Sequence, residues 1–458
     1  MGDRPAPVPI SFSLQDPNDP EDTIDRVRLG FNLTHRFNES WTLNNRFLAA
    51  FHDTSTLNIG ADALRADNRT ADRGVGPYEF NDHDYHTNLD LIGKFALWDA
   101  HHETLVGFDY SRALLEGLFR FGPSIPALAI DIFNPRYGVD PAVFNINLPF
   151  TDFFHIEQEQ YGVYFQDHIT LWDKLHLLGG GRYDWATVAG GDSDISIDAI
   201  RLEEGTDEAF SPRVGVLYQP WPWLGVYGHW VQSFGSNNGG VSATGALHDP
   251  QSGEQFEAGL KTELFEAELT ATLAYFHLTK MNILTDDLST PDNPFDSLAI
   301  GEARSEGVEL DIAGRLTDTL SLIGSYAYTD AKVTKDNGGL QGNQLPNAPL
   351  HSGSLWLKYD VSGYQADGLS FGVGVFANGH REGDAENTFE LPGYARLDAL
   401  AAYRRKIGPS RLTVQLNIWN LLDKVYYESA DGFSNAPARL SIVPGAPLTV
   451  LGSIRIDF

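Results

Sequence analysis

The chain ends in the segment LTVLGSIRIDF, in which apolar residues occupy every second position. One alternate set is apolar and comprises Leu448, Val450, Gly452, Ile454, Ile456 and Phe458, whereas the other set is mostly polar. Successive side chains of a β-strand point to opposite faces. The pattern therefore predicts a strand whose two faces meet different environments.

Segments of this kind recur along the whole chain. We count about seventeen, each near or above the roughly 9–11 residues with which a tilted strand crosses a bilayer. In RVRLGFNLTHRF, for example, Val27, Leu29 and Phe31 hold alternate positions. No helical stripe competes with them. The segments begin near residues 25, 40, 84, 102, 155, 174, 208, 224, 253, 267, 301, 319, 347, 369, 390, 410 and 447.

The composition of the two faces favours a membrane barrel over a soluble β-sandwich. The polar set is rich in Asn, Gln, Thr, Ser, Tyr and Arg, which suits a wet lumen. Aromatic residues fall at segment ends, as in the girdles of membrane barrels. These residues are Trp41, Trp98, Trp172, Trp221, Trp223, Tyr426 and Tyr427.

The links between the segments alternate in length. Short turns such as RFNES, LWDK, QPWPW and KIGP alternate with long links near 54–83, 116–153, 190–207, 236–252, 284–300, 332–346 and 428–446. Outer-membrane barrels have short periplasmic turns and longer extracellular loops. We therefore expect the short turns and the C-terminus on the periplasmic side.

Composition excludes several classes of function. The chain has no Cys, so it offers no disulfide framework, zinc–cysteine cluster or catalytic thiol. Its net charge of −30 disfavours nucleic acid as a partner. No catalytic constellation is present, so we expect no enzyme. The acidic segment DPNDPEDTID (16–25) lacks the central Gly of a calcium loop and is expected to be solvated.

Eight stretches in order resemble TonB-dependent receptors, in particular the ferric-siderophore branch. They are YGVYFQDHITLWDKLHLLGGGRYDW (161–185), FSPRVGVLYQPWPWLGVYGHWVQSF (210–234), GEQFEAGLKTEL (253–264), IGEARSEGVELDIAGRL (300–316), LPNAPLHSGSLWLKY (345–359), ELPGYARLDALAAYRR (390–405), NIWNLLDKVYY (417–427) and IRIDF (454–458).

The resemblance implies a 22-stranded barrel in the Gram-negative outer membrane, with a plug folded inside it. The expected substrate is a ferric siderophore, and no cofactor or resident metal is expected. Expected partners are outer-membrane lipid, the barrel-assembly machinery and, for the full-length protein, the TonB complex. Phe458, Ile456 and Ile454 resemble the C-terminal signal that the assembly machinery recognises.

The family's plug, TonB-contacting box, signal peptide and first strands have no counterpart in this sequence. We therefore expect an all-β, antiparallel transmembrane barrel with about seventeen of 22 strands and no plug domain. Residues 1–23 would be the remnant of an extracellular loop, and residues 24–458 a partial barrel domain. Two alternatives to siderophore uptake stay open: a passive pore, and a phage or bacteriocin receptor that transports nothing.

Candidate ligand contacts lie in the long links. The link at 119–150 carries Phe119, Phe121, Phe133, Tyr137 and Phe144, more rings than a solvated loop needs. Such rings could contact an iron chelate, or they could pack the link against its neighbours. Weaker candidates are Tyr78, Phe80 and the segment QSFGSNNGG (232–240).

Overall fold

Seventeen long β-strands occur in the part of the chain that the structure describes. The computed structural model describes residues 5–144, 148–236, 248–266, 268–287, 289, 297–361, 368–430 and 442–458, so residues 237–240 of the candidate segment 232–240 lie outside the described residues. The strands are β1 (Thr23–Arg36), β2 (Trp41–Leu64), β3 (Thr70–Leu97), β4 (Ala100–Phe121), β5 (Phe150–Leu171), β6 (Leu175–Ser193), β7 (Glu203–Trp221), β8 (Leu224–Gly235), β9 (Gln251–Leu264), β10 (Leu269–Asp286), β11 (Ser297–Arg315), β12 (Leu320–Lys335), β13 (His351–Asp360), β14 (Leu369–Asn378), β15 (Tyr394–Ile407), β16 (Ser410–Trp419) and β17 (Thr449–Asp457).

All seventeen belong to one antiparallel sheet in which each strand pairs with the next along the chain. Strand β1 pairs only with β2, and β17 only with β16, among the described residues. Every residue of β1 is exposed. The sheet therefore has two free edges, and no globular domain separate from it occurs in the part of the chain that the structure describes.

The two faces of the sheet differ as the alternation predicts. On β16, Val414 and Leu416 point outward and are each 41% exposed, while the amide of Gln415 donates to Asn417 on the opposite face. Exposed apolar side chains recur in the same phase around the sheet, including Val106, Val163, Val216, Leu273 and Val375. A continuous apolar surface of this extent requires a nonaqueous neighbour. We call this the outer face and the polar side the inner face.

The links confirm the predicted alternation of short and long. On one side of the sheet they cover 37–40, 98–99, 172–174, 222–223, 265–268, 316–319, 361–368 and 408–409. Trp98 and Asp99 both have positive φ, the geometry of a two-residue hairpin turn. The opposite links cover 65–69, 122–149, 194–202, 236–250, 287–296, 336–350, 379–393 and 420–448. We call these the short-link and long-link sides.

Some long links are shorter than predicted because the strands continue beyond the bilayer-spanning length. The predicted link 54–83 is mostly strand, since β2 runs for 24 residues and β3 for 28. Strand β4 likewise extends to Phe121, and β5 begins at Phe150, which shortens the predicted link 116–153. The protruding part of the β2–β3 hairpin, residues 53–82, is called the β2–β3 tip below.

Two predicted girdle residues, Tyr426 and Tyr427, lie instead in the long link before β17. Tyr426 is 2% exposed and lies in the long link before β17, with its ring centroid 4.4 Å from that of Tyr394. It is therefore a core residue of that link. Trp98, Trp172, Trp221 and Trp223 do lie at the short-link end and are exposed.

The described residues include three short 3-10 turns, and no helix among them is long and apolar enough to cross a membrane.

A charge on the outer face of β16 should destabilise the protein much more than the same charge on the inner face. We expect Leu416→Arg to lower the free energy of unfolding in lipid vesicles by about 2–4 kcal/mol, the range for a charge near the bilayer midplane. Gln415→Arg, one residue away on the inner face, should cost less than about 1 kcal/mol. Denaturant titration of vesicle-inserted protein measures both, and equal costs would contradict the assignment of faces.

Candidate functional site

One face of the β2–β3 tip carries a small hydrophobic core. Ile59 and Val75 from the tip pack with Leu128 from the 122–149 link, and all three are at most 5% exposed. A neighbouring cluster joins Ala71 of the tip to Ile130 and Ile132 of the same link. The two-residue strand Ile130–Asp131 also pairs with Thr70 and Ala71. These contacts fix the 122–149 link on the tip.

Arg73 ties the tip to both segments that cover it. This residue is 1% exposed; its Nε donates to the Leu128 carbonyl at 2.5 Å, and its Nη1 donates to the Leu14 carbonyl. Burial lowers the pKa of the Arg73 guanidinium from its usual value. A buried cation needs such acceptors, so Arg73 holds residues 5–22 and the 122–149 link in place together.

Asp16 corrects the prediction of a fully solvated acidic segment. It is 2% exposed and accepts hydrogen bonds from the backbone N–H groups of Gly138, at 2.9 Å, and Asn18, at 3.1 Å. Gly138 has φ +84°, a conformation that favours glycine. The carboxylate thus joins residues 5–22 to the 122–149 link.

Three of the predicted ligand-binding residues take part in this packing. The hydroxyl of Tyr137 accepts from the Ser13 N–H at 2.9 Å and donates to the Ser13 carbonyl at 3.1 Å. Phe144 packs against the core of Ile59, Val75 and Leu128. The Arg69 guanidinium lies 5.9 Å from the centroid of the Phe133 ring. Phe133 and Tyr137 keep 40% and 38% of their surface exposed.

The other four predicted residues form a continuous row of rings with one further residue. Neighbouring centroids are 6.1 Å apart for Tyr78 and Phe80, 6.4 Å for Tyr78 and Phe119, 5.6 Å for Phe119 and Phe121, and 5.3 Å for Phe121 and Phe150. Phe119, Phe121 and Phe150 are 40–55% exposed. We call this the aromatic row.

Strand register places the aromatic row on the inner face. Tyr78 pairs with Phe119, and the same ladder continues without a register shift to Asp90 and Gly107. The ladder from Gly107 onward pairs Phe121 with Phe150. Because faces alternate by residue, the rings share the face of Asp90. Sequence alone missed Phe150, since only the pairing of β4 with β5 sets it opposite Phe121.

Below the row, the inner face carries a charged network across five strands. Arg182 of β6 forms a bidentate ion pair with Asp109 of β4, and its Nε donates to Asp184 at 2.7 Å. The hydroxyl of Tyr164 donates to Asp90 at 2.5 Å, which also accepts from Arg46 of β2 at 3.4 Å.

Glycine makes room for this network. A Cβ at Gly107 would lie 2.1 Å from the Tyr164 ring, and one at Gly162 would lie 1.9 Å from the Arg182 guanidinium. Both side chains therefore lie flat against the wall. The Tyr164 hydroxyl and the Arg182 guanidinium stay on the inner face, where they bond to Asp90 and Asp109.

An apolar cavity of about 490 Å³ lies on the long-link side. Its lining comes from residues 5–14, from the β2–β3 tip, from Phe389, and from the link before β17, including Tyr427 and Ile442. The Arg381 guanidinium donates to the carbonyls of Tyr427 and Glu428, which joins the 379–393 link to the link before β17. The segment before β1 and the link before β17 thus meet on the long-link side, although β1 and β17 do not pair among the described residues.

The predicted assembly signal lies on the outer face at the free edge. Ile454 is 74% exposed, Ile456 is 52% exposed, and Phe458 is fully exposed. These side chains are open to a partner strand or lipid.

Comparisons with known proteins agree with this architecture. The family model described as "TonB dependent receptor-like, beta-barrel" matches residues 3–421. The metal-pseudopaline receptor CntO of Pseudomonas aeruginosa is 35% identical over 98% of the chain. The ferrichrome outer membrane transporter/phage receptor of Escherichia coli is 30% identical over 88% of the chain.

Solved structures show the same fold. The siderophore receptor PiuA of Acinetobacter baumannii superposes with a TM-score of 0.80 at 21% identity, covering 95% of this chain and 65% of that one. BauA, the ferric preacinetobactin receptor of the same organism, gives 0.77 at 24% identity, covering 95% and 63%. The chain spans 62% of the length of the CntO relative and 55% of the ferrichrome transporter.

Truncating Leu128 should free the 122–149 link while leaving the barrel intact. Leu128 is fully buried, so Leu128→Ala should cost about 2–5 kcal/mol of local stability. Faster protease cleavage and amide exchange in residues 122–144 would report this loss. Ile195→Ala, at a 76% exposed link position, is the matched control and should change neither. Unchanged protection in Leu128→Ala would show that the core does not hold the link.

Proposed function

The chain belongs to the TonB-dependent receptor family, and we propose that its barrel wall captures ferric siderophores in an outer-membrane uptake receptor. The matched family model covers most of the chain, and the relatives at 35% and 30% identity are by name a receptor and an outer membrane transporter. The apolar outer face agrees with a location in the outer membrane. The long-link side is then extracellular and the short-link side periplasmic.

The aromatic row is the observation that supports ligand capture most directly. Five rings lie within 6.4 Å of their neighbours and stay partly exposed on the inner face. Aromatic faces bind flat apolar or aromatic groups, and each good ring pair contributes about 0.5–1.5 kcal/mol beyond its buried area. Siderophores wrap Fe(III) in an organic shell, so the row would contact that shell and leave the metal untouched. The iron is cargo in this proposal, and no cofactor is needed.

Transport itself is assigned to the complete receptor. In the family, a plug fills the barrel and TonB pulls on it, so coupling to TonB is proposed only for a protein that includes a plug. The charged network around Arg182 faces the enclosed space and offers hydrogen-bonding partners to such a plug. Outer-membrane lipid and the barrel-assembly machinery are the other proposed partners, and no nucleic acid is expected.

The transporter proposal has more support than the alternatives. The relatives named above are receptors and transporters, and we propose no catalytic activity. A passive pore would not need the aromatic row on its inner face. The printed name of the Escherichia coli relative combines a transporter with a phage receptor, so any reception of phage or bacteriocin would accompany uptake in this proposal.

Removing two rings should weaken chelate binding. We expect Phe119→Ala/Phe121→Ala to lower affinity for the recognised chelate by about 5–100-fold, since two aromatic contacts of roughly 1 kcal/mol or more are lost. Ferrichrome, ferrioxamine B and ferric pyoverdine serve as probes. Quenching of tryptophan fluorescence on the folded protein measures binding.

A ring on the same strand provides the control. Phe108 of β4 is 41% exposed on the outer face, so Phe108→Ala should leave binding unchanged. If the double variant binds every probe as tightly as the unmodified protein, the aromatic row is not the contact surface.

Shortening the terminal ring should impair assembly. We expect Phe458→Ala to reduce the amount of folded protein in the outer membrane several-fold, because its fully exposed ring is the proposed recognition element. The control is Asp457→Ala, on the opposite face of β17. Heat-modifiable gel migration of outer-membrane fractions measures the amount of folded barrel. Equal yields of the two variants would show that Phe458 is not the assembly signal.

A further inference from the structure

A histidine and two aspartates lie together on the inner face at the base of the β2–β3 tip. His52 of β2 pairs with Asp82 of β3, and Ala50 pairs with Asp84, so all three side chains leave the sheet on the same side. A ring nitrogen of His52 and one carboxylate oxygen from each aspartate lie within 4.8 Å of one another. All three residues are half-buried. No other group of this kind occurs among the described residues.

The hydrogen bonds around His52 leave this cluster incomplete. Nδ1 of His52 is 3.1 Å from Oδ2 of Asp82, whereas Nε2 is buried and has no hydrogen-bond partner. Leaving a buried polar atom unpaired costs about 1–3 kcal/mol. The Asp84 carboxylate makes no hydrogen bond or ion pair with any residue in the described ranges. One imidazole nitrogen and one carboxylate thus have ligating capacity that the protein itself does not use.

We propose that His52, Asp82 and Asp84 bind one divalent transition-metal ion. A set of one nitrogen and two oxygens suits Zn²⁺ and its neighbours in the first transition series better than Ca²⁺ or Mg²⁺, which take oxygen ligands almost exclusively. Three protein ligands with water in the remaining position form a common zinc arrangement.

Local charge agrees with a cation. Two carboxylates on adjacent inner-face positions of β3 repel each other, and a divalent ion would neutralise both. Arg26 and Arg28 lie beside the cluster on the neighbouring edge strand β1, opposite His52 and Ala50. Neither arginine forms an ion pair among the described residues, so both leave the carboxylates of the cluster free to bind an ion.

The position gives the site a structural consequence. Asp82 is two residues from Phe80, on the same face, so the ion would lie directly below the aromatic row. It would also cross-link β2 to β3 where the hairpin leaves the barrel wall, about 25 Å from the short turn at 37–40 for a strand rising about 3.3 Å per residue at a tilt near 45°. Metal loading would therefore stiffen the base on which Tyr78 and Phe80 stand. This inference is independent of siderophore uptake.

Titration of the detergent-folded chain with ZnCl2 tests the proposal. We expect isothermal titration calorimetry to show one Zn²⁺ per chain, and Co²⁺ at the same site to give visible absorption bands of a nitrogen- and oxygen-ligated ion. His52→Ala and Asp84→Asn should each weaken Zn²⁺ binding at least about tenfold, since even second-shell changes cost about 10–100-fold. Asp84→Asn preserves shape, so it keeps the test valid if His52→Ala folds poorly.

Two neighbouring residues provide matched controls. His83 lies between the two aspartates on the outer face, with its ring 5.3 Å from that of Phe51, and Asp53 follows His52 and is exposed. His83→Ala and Asp53→Asn should bind Zn²⁺ like the unmodified chain. Absence of saturable Zn²⁺ binding, or binding that Asp84→Asn leaves unchanged, would overturn the site. Loss of chelate binding with intact Zn²⁺ binding would instead concern only the proposed uptake function.

Discussion

The structure depends on one constraint, which is that backbone N–H and C=O groups in hydrocarbon must find partners within the protein. Each unpaired group in a bilayer costs several kcal/mol. Fifteen of the seventeen strands meet this requirement on both sides through antiparallel neighbours. Only β1 and β17 present free edges among the described residues, with outward side chains such as Leu29 and Ile454 exposed beside them. The apolar outer face is stable in lipid, whereas the unpaired backbone groups of β1 and β17 need hydrogen-bonding partners. A stable membrane form therefore requires those two edges to be covered.

The membrane-spanning part was predictable from sequence because a single physical contrast governs it. Lipid on one side and water on the other impose alternation at every residue, and this alternation fixed the number of strands and the order of short and long links. Above the bilayer the contrast disappears. The upper halves of β2 and β3 keep strand geometry without one face that is consistently apolar and another that is consistently polar, so sequence alone assigned them to a link. Tyr426 was misplaced for the related reason that a ring near a segment end serves equally in a girdle or in a packed link.

The candidate site, too, was predictable from sequence only in part. Phe119, Phe121, Tyr78 and Phe80 were identifiable because too many rings occur in supposedly solvated segments. Their arrangement in a row depends on the pairing of β3, β4 and β5, which no single segment encodes. Phe144 and Tyr137 belong to the packing that holds the 122–149 link, together with buried Arg73 and Asp16. The acidic composition of residues 16–25 concealed this role of Asp16. The sequence does not distinguish a carboxylate that accepts backbone hydrogen bonds from one that is solvated.

Register connects these features. A slip of one residue turns every side chain of a strand to the other face. The β3–β4 ladder runs from Tyr78 to Leu97 without a shift, so the aromatic row at its top and Asp90 near its base are locked to the same side. A single bulge between them would turn the rings and the charged network to opposite faces of the sheet. The ion pair of Arg182 with Asp109 joins β6 to β4 across the intervening β5 on that side, and a change of register would leave these charges in hydrocarbon. The polar network therefore stabilises the register of the β3–β4 pairing. That register in turn sets the face on which the rings of the aromatic row lie.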